Sequence, residues 1–350
     1  MDMKRKTKTE IYATFGPSCG TEPILKDMID AGLTGMRLNL SHTTLTASSA
    51  YIRAYQKAAE ESGVTPQILI DMQGPELRIG NLEKPLLLED GQLITLGKES
   101  IPVPDAVIQA VKPGDQVLLD DGKIQICIVD VYIEDTFDKN EYQKTFKKSI
   151  RAKVLRGGLL HSHKSIKILN TNVAMPVLTE HDLENIRLAS SYGVTALMQP
   201  FVLNGADLAY VRQTLKENGA ENIQIFAKIE NRLGVENLEN IIPEADVIII
   251  ARGDLGNDMP LWELPAVQKK IERICSEYGK PYIIVTQMLA SMEKSPFPTR
   301  AEVSDIFHAV LHGAYGIMIT GESAIGAYPV EAVKYLANTA LEAENVLLNE

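Results

Sequence analysis

Short runs of β-branched and apolar residues recur along the chain as "IYATFG", "GMRLNLS", "QILIDMQ", "TALMQPF", "QIFAKIE", "ADVIIIARG", "PYIIVTQ" and "GIMITGE". Each is too short for a helix and too apolar for a loop, so the pattern predicts eight buried strands. Most are joined by segments of helical period, among them "EPILKDMIDAG", "LENIRLASSYG", "LAYVRQTLKENG" and "PAVQKKIERICSEYG". All four end on glycine, as helix stops often do. Eight alternations of strand and helix predict an α/β fold, a TIM (β/α)8 barrel.

The alternation stops between residues 79 and 174. There, "DQVLLDDGKIQICIVDVYIED" and "SIRAKVLRGG" alternate apolar and polar positions with the period of antiparallel hairpins. The expected organisation is a barrel built from 1–78 and 175–350, with an inserted all-β lid domain over 79–174. An insertion after the third strand leaves from the C-terminal face, where barrel enzymes build their sites, so a gating role is expected of it. The polar stretch "TFDKNEYQKTFKKS" reads as a solvated hairpin tip.

Composition narrows the partners. The 350 residues are 45% hydrophobic and 23% charged, which is ordinary for a globular protein with a large core. Against 46 acidic residues stand 35 basic ones, a net charge of -11 that disfavours nucleic acid and anionic lipid. An anionic ligand therefore needs local cations or a metal. No apolar run reaches a membrane span, and "MDMKRKTKTE" lacks a signal-peptide core, so a cytoplasmic protein is expected. Cys19, Cys127 and Cys275 are isolated and read as small buried hydrophobes.

Chemistry gathers at the predicted strand ends. In "FAKIENRLG", Lys228 and Glu230 are two apart and leave the strand on one face, as a salt bridge or as a site. Arg37, Asn39 and Ser41 end the second strand, Asp71 the third, and "RGDLG" with Arg252, Gly253 and Asp254 the sixth. Thr286 and Gln287 close the seventh, Thr320 and Glu322 the eighth. A single buried ion pair is as readily structural as functional, but a ring of charges would cost several kcal/mol of desolvation per ion without a metal or substrate. Glu230 and Asp254 are hard oxygen ligands without nearby His or Cys, favouring Mg2+ or Mn2+. No P-loop or dinucleotide glycine motif occurs in its required setting. The pair His161 and His163 reads as a polar loop, and Met288, Leu289 and Met292 as core.

Taken in order, "RLNLSH", "DMQGPELRIG", "AKIENRLG", "ARGDLG", "VTQMLASMEKSPFPTRAEVSD" and "MITGESAIGAYP" resemble the motifs of the pyruvate kinase family over most of the barrel. The resemblance implies phosphoryl transfer from phosphoenolpyruvate to ADP, giving pyruvate and ATP. Arg37 would grip the phosphate and Lys228 stabilise the phosphoryl group in flight, while Gly253, Asp254 and Thr286 receive the substrate. Glu230 and Asp254 would bind the divalent ion; Asn39, Ser41, Asp71 and the backbone of Met72 would bind a monovalent cation such as K+. Asn39, His42, Arg78 and Lys164 fall on the nucleotide side, and Thr320 and Glu322 on a relay that protonates the enolate.

Departures from the family pattern bear on activity. The family's D-T-K-G-P-E is "DMQGPE", so Met72 and Gln73 replace a Thr and a Lys at the cation and nucleotide edge. In the lid, N-L-P-G is replaced by Lys167 to Asn170, while "DDG" at 120 to 122, "GG" at 157 to 158 and Lys164 are kept. Pro200 and Leu203 stand where the fourth strand usually carries Ser and a basic residue. The family usually continues into a further α/β domain for effectors and tetramer contact; the chain stops at Glu350, so control by that route is expected to be absent and a homo-oligomer stays open. Two alternatives follow: a related enzyme with another phosphoryl acceptor or enolate reaction, and a binding or regulatory paralogue without turnover.

Overall fold

In a computed structural model, the described residues run from 7 to 349, apart from 42, 75, 98, 99, 121, 139–142, 170, 172 and 174; over 134–147 only the backbone is described. The chain divides into two compact units, one of Met1–Gly74 with Val177–Glu350 and the other of Pro75–Pro176. The sequence reading placed these joints at 78/79 and 174/175.

The first unit is a closed barrel of eight parallel strands. They are β1 (Glu10–Thr14), β2 (Gly35–Asn39), β3 (Gln67–Asp71), β4 (Ala196–Gln199), β5 (Gln224–Ile229), β6 (Val247–Ala251), β7 (Tyr282–Val285) and β8 (Gly316–Met318). Each strand pairs with its neighbours in chain order, and β8 closes on β1 through Tyr12 and Met318. The predicted eight-strand α/β barrel is the observed fold. Strands such as "VIIIA" are buried at every position because the barrel interior covers one face and the helices the other.

Helices form where period and caps agree. Those over Glu180–Ala189, Gly205–Glu217 and Arg300–Leu311 start in capping boxes, Thr179 with Asp182, Asn204 with Asp207 and Thr299 with Glu302. Gly193, Gly219 and Gly279 follow helical segments in the left-handed region, at φ 71°, 66° and 60°. A side chain there would be strained, which is why glycine stops these turns. Met288, Leu289 and Met292 are fully buried, as expected of core residues.

The second unit contains a five-stranded antiparallel sheet and a two-stranded one. Its long hairpin pairs Ile124–Asp138 with Gln143–Arg156, so the segment read as a solvated tip continues the ladder through Thr136 opposite Thr145. Val117, Leu119, Ile126, Ile128, Ile150 and Val154 supply its own core. Cys19 and Cys275 are buried, whereas Cys127 is half-exposed because its position on the ladder, opposite Lys153 and Gln116, faces the polar side.

Glu302 does more than cap its helix. Its carboxylate accepts from the Thr299 N–H and hydroxyl at 2.7 and 2.8 Å, and from the Ser291 N–H and hydroxyl at 2.8 and 2.6 Å. Burial opposes ionisation, yet these donors hold its pKa below the usual carboxylate range. A depressed carboxyl stabilises the fold above its unfolded pKa and loses that contribution as pH falls through the folded value. We expect Glu302→Ala to lower stability in urea by about 1–3 kcal/mol at pH 7, a deficit that shrinks in acid below about pH 4.

Candidate active site

Period-2 geometry decides where the barrel interior turns from apolar to charged. Tyr12, Leu69, Met198, Phe226, Ile249, Ile283 and Met318 belong to a buried cluster of their own inside the strands. Two residues further along the same faces come Thr14 after Tyr12, Asp71 after Leu69 and Lys228 after Phe226. Arg37 lies in register with Thr14 on one side and Leu69 on the other. Polar side chains therefore gather at the C-terminal mouth, on top of an apolar plug.

Asp71 joins three of these strands. Its Oδ2 accepts from Arg37 Nε at 2.9 Å and Nη2 at 2.6 Å, while Lys228 Nζ lies 3.1 Å from Oδ1 and 3.3 Å from Oδ2. Arg37 Nη1 also donates to the Thr14 hydroxyl at 3.1 Å. Burial on its own would raise the pKa of Asp71; the charges of Lys228 and Arg37 outweigh it and hold the carboxyl below its ordinary value. Lys228 follows the same logic in reverse. Burial disfavours its charge, but Asp71 and Glu230 more than compensate, so the ammonium stays protonated well above its usual range. It is a fixed cation rather than a base.

Glu230 is the first residue past β5 and is buried. Lys228 Nζ sits 2.9 Å from its Oε1, off the hydrogen-bond direction, so that oxygen has no hydrogen-bond partner. Its Oε2 accepts the Phe201 N–H at 2.8 Å, from a residue held at φ 53°. Burial first, and then the charge of Asp254, push its pKa up to about 7 against the pull of Lys228. Asp254 stands in the first turn of the helix Arg252–Asp258 and acts electrostatically on both Lys228 and Glu230. Arg37, Lys228, Asp71, Glu230 and Asp254 thus form one electrostatically linked group at the mouth. Among the described residues, no group of three or more His, Cys, Asp or Glu side chains could hold a metal, and the His161 and His163 loop forms no such group. Two carboxylates, one with an oxygen lacking a hydrogen bond, fit a hard divalent ion that completes its shell with water and substrate.

Thr286 and Gly253 meet at the ends of β7 and β6. A Cβ built on Gly253 would lie 3.5 Å from Thr286 Cγ2, ordinary contact, so the fold itself does not require glycine there. The Thr286 hydroxyl oxygen is buried without a hydrogen-bond partner, and its backbone sits at φ 74°. At β8, Glu322 is buried and committed to backbone groups: Oε2 accepts the Thr320 N–H at 2.7 Å and Oε1 the Leu289 N–H at 3.1 Å. The Thr320 hydroxyl approaches Oε2 at 3.4 Å.

The residues assigned to a monovalent cation are only partly brought together. Asn39 lies in register with Asp71, and its Oδ1 accepts the Ser41 N–H at 3.1 Å. The Met72 side chain is buried in the core, so only its carbonyl is free to serve an ion. Gln73 and Gly74 donate their N–H groups to Asp182 at 2.8 and 3.1 Å. His42 lies outside the described residues, as do Asp121 and Asn170 of the two lid segments. Within the inserted unit, Lys164 Nζ pairs with Asp120 Oδ1 at 2.8 Å, and Arg78 pairs with Glu76 at 2.6 Å while donating to the His163 carbonyl at 2.7 Å.

Sequence reasoning missed Thr14, the Phe201 N–H and the Asp182 brace. A threonine ending a strand is unremarked in any sequence, and a backbone donor leaves no residue signature. Asp182 did carry a signal, the T-x-x-D capping pattern at Thr179.

Fold and site together define a (β/α)8 barrel with a cluster of buried, mutually paired charges at its mouth. The family model described as "Pyruvate kinase, barrel domain" matches residues 6–333. A pyruvate kinase of Clostridium acetobutylicum is 37% identical over 349 residues, covering 97% of this chain and 71% of its own length. One of Chlamydia pneumoniae is 35% identical over 353 residues, with 98% and 70% covered. One of Bacillus licheniformis is 37% identical over 349 residues, and the chain spans 58% of its length. The chain belongs to the pyruvate kinase family and is an enzyme of its phosphotransferase type. Among the described residues no helix is long and apolar enough to cross a membrane.

In the metal-free protein, carbon-detected NMR of labelled glutamate is expected to show one carboxyl titrating near pH 7, absent in Glu230→Gln. Mg2+ should move that titration downward, because a divalent charge favours the ionised form. A carboxyl at position 230 that titrates in the ordinary range without metal would show that its surroundings are not as described.

Proposed function

We propose that this enzyme moves the phosphoryl group of phosphoenolpyruvate to ADP in the cytoplasm, releasing pyruvate and ATP. The observation that carries this reading is the pair of buried cations, Arg37 and Lys228, held on one carboxylate at the barrel mouth. A phosphate arriving there meets two positive charges already desolvated and oriented, which is the costly part of binding a dianion.

Arg37 would take the phosphate with the donors not given to Asp71 and Thr14. As the phosphorus–oxygen bond to the enolate breaks and the bond to the terminal ADP oxygen forms, Lys228 stabilises charge spreading over the phosphoryl oxygens. Gly253, Asp254 and the hydroxyl of Thr286 would seat the enolpyruvate. The enolate carbon then takes a proton, with the Thr320 hydroxyl as the near group and Glu322 fixing its position. Glu230 and Asp254 would hold Mg2+ or Mn2+, which supplies Lewis-acid charge to phosphate and enolate oxygens. Asn39, Ser41, Asp71 and the Met72 carbonyl would serve K+, with Asp71 shared between that ion and its two cationic partners. On the inserted unit, Arg78 and Lys164 are the cations proposed for nucleotide phosphates.

A coupled assay of pyruvate release tests this directly. The wild-type protein should turn over phosphoenolpyruvate only with ADP and a divalent ion, and faster with K+. Lys228→Met should lower kcat by roughly 100-fold or more, the scale expected for losing one charge-stabilising group, while Mn2+ binding persists. Equal turnover in the mutant would remove Lys228 from the chemistry; release of pyruvate without ADP would point to another acceptor.

A further inference from the structure

The turn after β7 is built from two successive non-glycine residues in the left-handed region, Thr286 at φ 74° and Gln287 at φ 54°. Side chains rarely adopt this backbone, and it persists only where the surroundings over-determine it. Arg252, the first residue after β6, meets this turn. Its Nη2 donates to the Thr286 carbonyl at 2.7 Å and also meets the Met288 sulfur, while its Nη1 donates to Asp305 Oδ2 at 2.6 Å. The Arg252 side chain is 11% exposed, so this charge is desolvated and depends on its acceptors. Asp305 belongs to the helix Arg300–Leu311, which follows that turn. The Thr286 hydroxyl, next to Gly253, is buried and has no hydrogen-bond partner.

We propose that Arg252 and Asp305 are a positioning pair that holds the strained Thr286–Gln287 turn so that the unsatisfied Thr286 hydroxyl meets the substrate beside Gly253 and Asp254. The proposal rests on the phosphoryl-transfer reading for what that substrate is. A planar guanidinium with two separate terminal nitrogens can span the carbonyl and the carboxylate at once; an ammonium is a point charge and cannot hold both in the same way. The pair touches no reacting atom. Its effect is on where Thr286 stands, and a misplacement of a group that acts in the transition state lowers kcat more than it weakens ground-state binding.

The test compares Arg252→Met, Arg252→Lys, Asp305→Ala and the double variant Arg252→Met/Asp305→Ala with the wild type. Steady-state kinetics with phosphoenolpyruvate and ADP are read alongside amide hydrogen exchange over residues 284–292. Arg252→Met should lose about 10-fold or more in kcat with KM for phosphoenolpyruvate changed less than about threefold. Exchange across the turn should rise about 10-fold or more, and the double variant should be little worse than Arg252→Met alone, because the two residues act as one unit. Arg252→Lys should recover only part of the loss. A folded Arg252→Met with wild-type exchange and kcat, or fully additive costs in the double variant, overturns the proposal. Should Arg252→Met fail to fold, Arg252→Lys and Asp305→Ala decide it by the same two readouts. Absence of ADP-dependent turnover in the wild type would sink the reading of the reaction; the exchange comparison would still decide on the clamp.

Discussion

Asp71 is a carboxylate with almost no access to water, and the mouth of the barrel is organised around the need to compensate it. Left unpaired, such a charge would cost several kcal/mol; with Arg37 from β2 and Lys228 from β5 against it, its pKa is depressed instead. The dependence runs both ways, because both cations are themselves largely buried. Sliding any of the three strands by one residue would turn its charged side chain outward and strand the others. The electrostatics of the site and the register of the barrel are therefore one constraint. The two cations, which in the proposed function would meet a phosphate, are held in place by the same carboxylate that makes their burial tolerable.

Around this centre the structure departs from unstrained backbone where the chemistry is placed. Phe201 takes a left-handed conformation and gives its N–H to Glu230; Thr286 and Gln287 are also left-handed, after β7. Local preference and global arrangement usually agree in a well-folded chain, so conflicts of this kind are informative when they cluster. Within the barrel they fall at the ends of β4 and β7, beside the candidate ligand groups; the other two, Asp120 and His163, lie in the inserted unit. Glu322 adds a brace of another kind, tying the segment after β7 to the end of β8 through two backbone amides.

Under the proposed phosphoryl-transfer reading, charge is the reason this site would take a cation from solution. The chain as a whole is acidic, at -11, and the mouth itself places Asp71, Glu230 and Asp254 against Arg37 and Lys228. A divalent ion between Glu230 and Asp254 would relieve the repulsion that now keeps Glu230 reluctant to ionise, and would leave the two fixed cations for phosphate. The Met72 side chain is packed into the core and offers no oxygen to the monovalent site proposed beside it.

By itself the sequence determined the eight strands, the helices between them, the inserted β unit and the polar residues that close each strand. All of these follow from local periodicity, which needs only neighbours along the chain: two residues per repeat in a strand, 3.6 in a helix. Arg37, Asp71, Lys228 and Glu230 were legible for that reason, as charges interrupting apolar runs. Which charge meets which was decided only by tertiary structure. Lys228 and Asp71 are separated by 157 residues, Arg252 and Asp305 by 53, and no local pattern encodes such a pairing. Thr14, the Phe201 amide and the half-exposed Cys127 escaped for the same reason: hydrogen bonds and burial depend on distance in space, and only closing the barrel and pairing the ladder sets that distance.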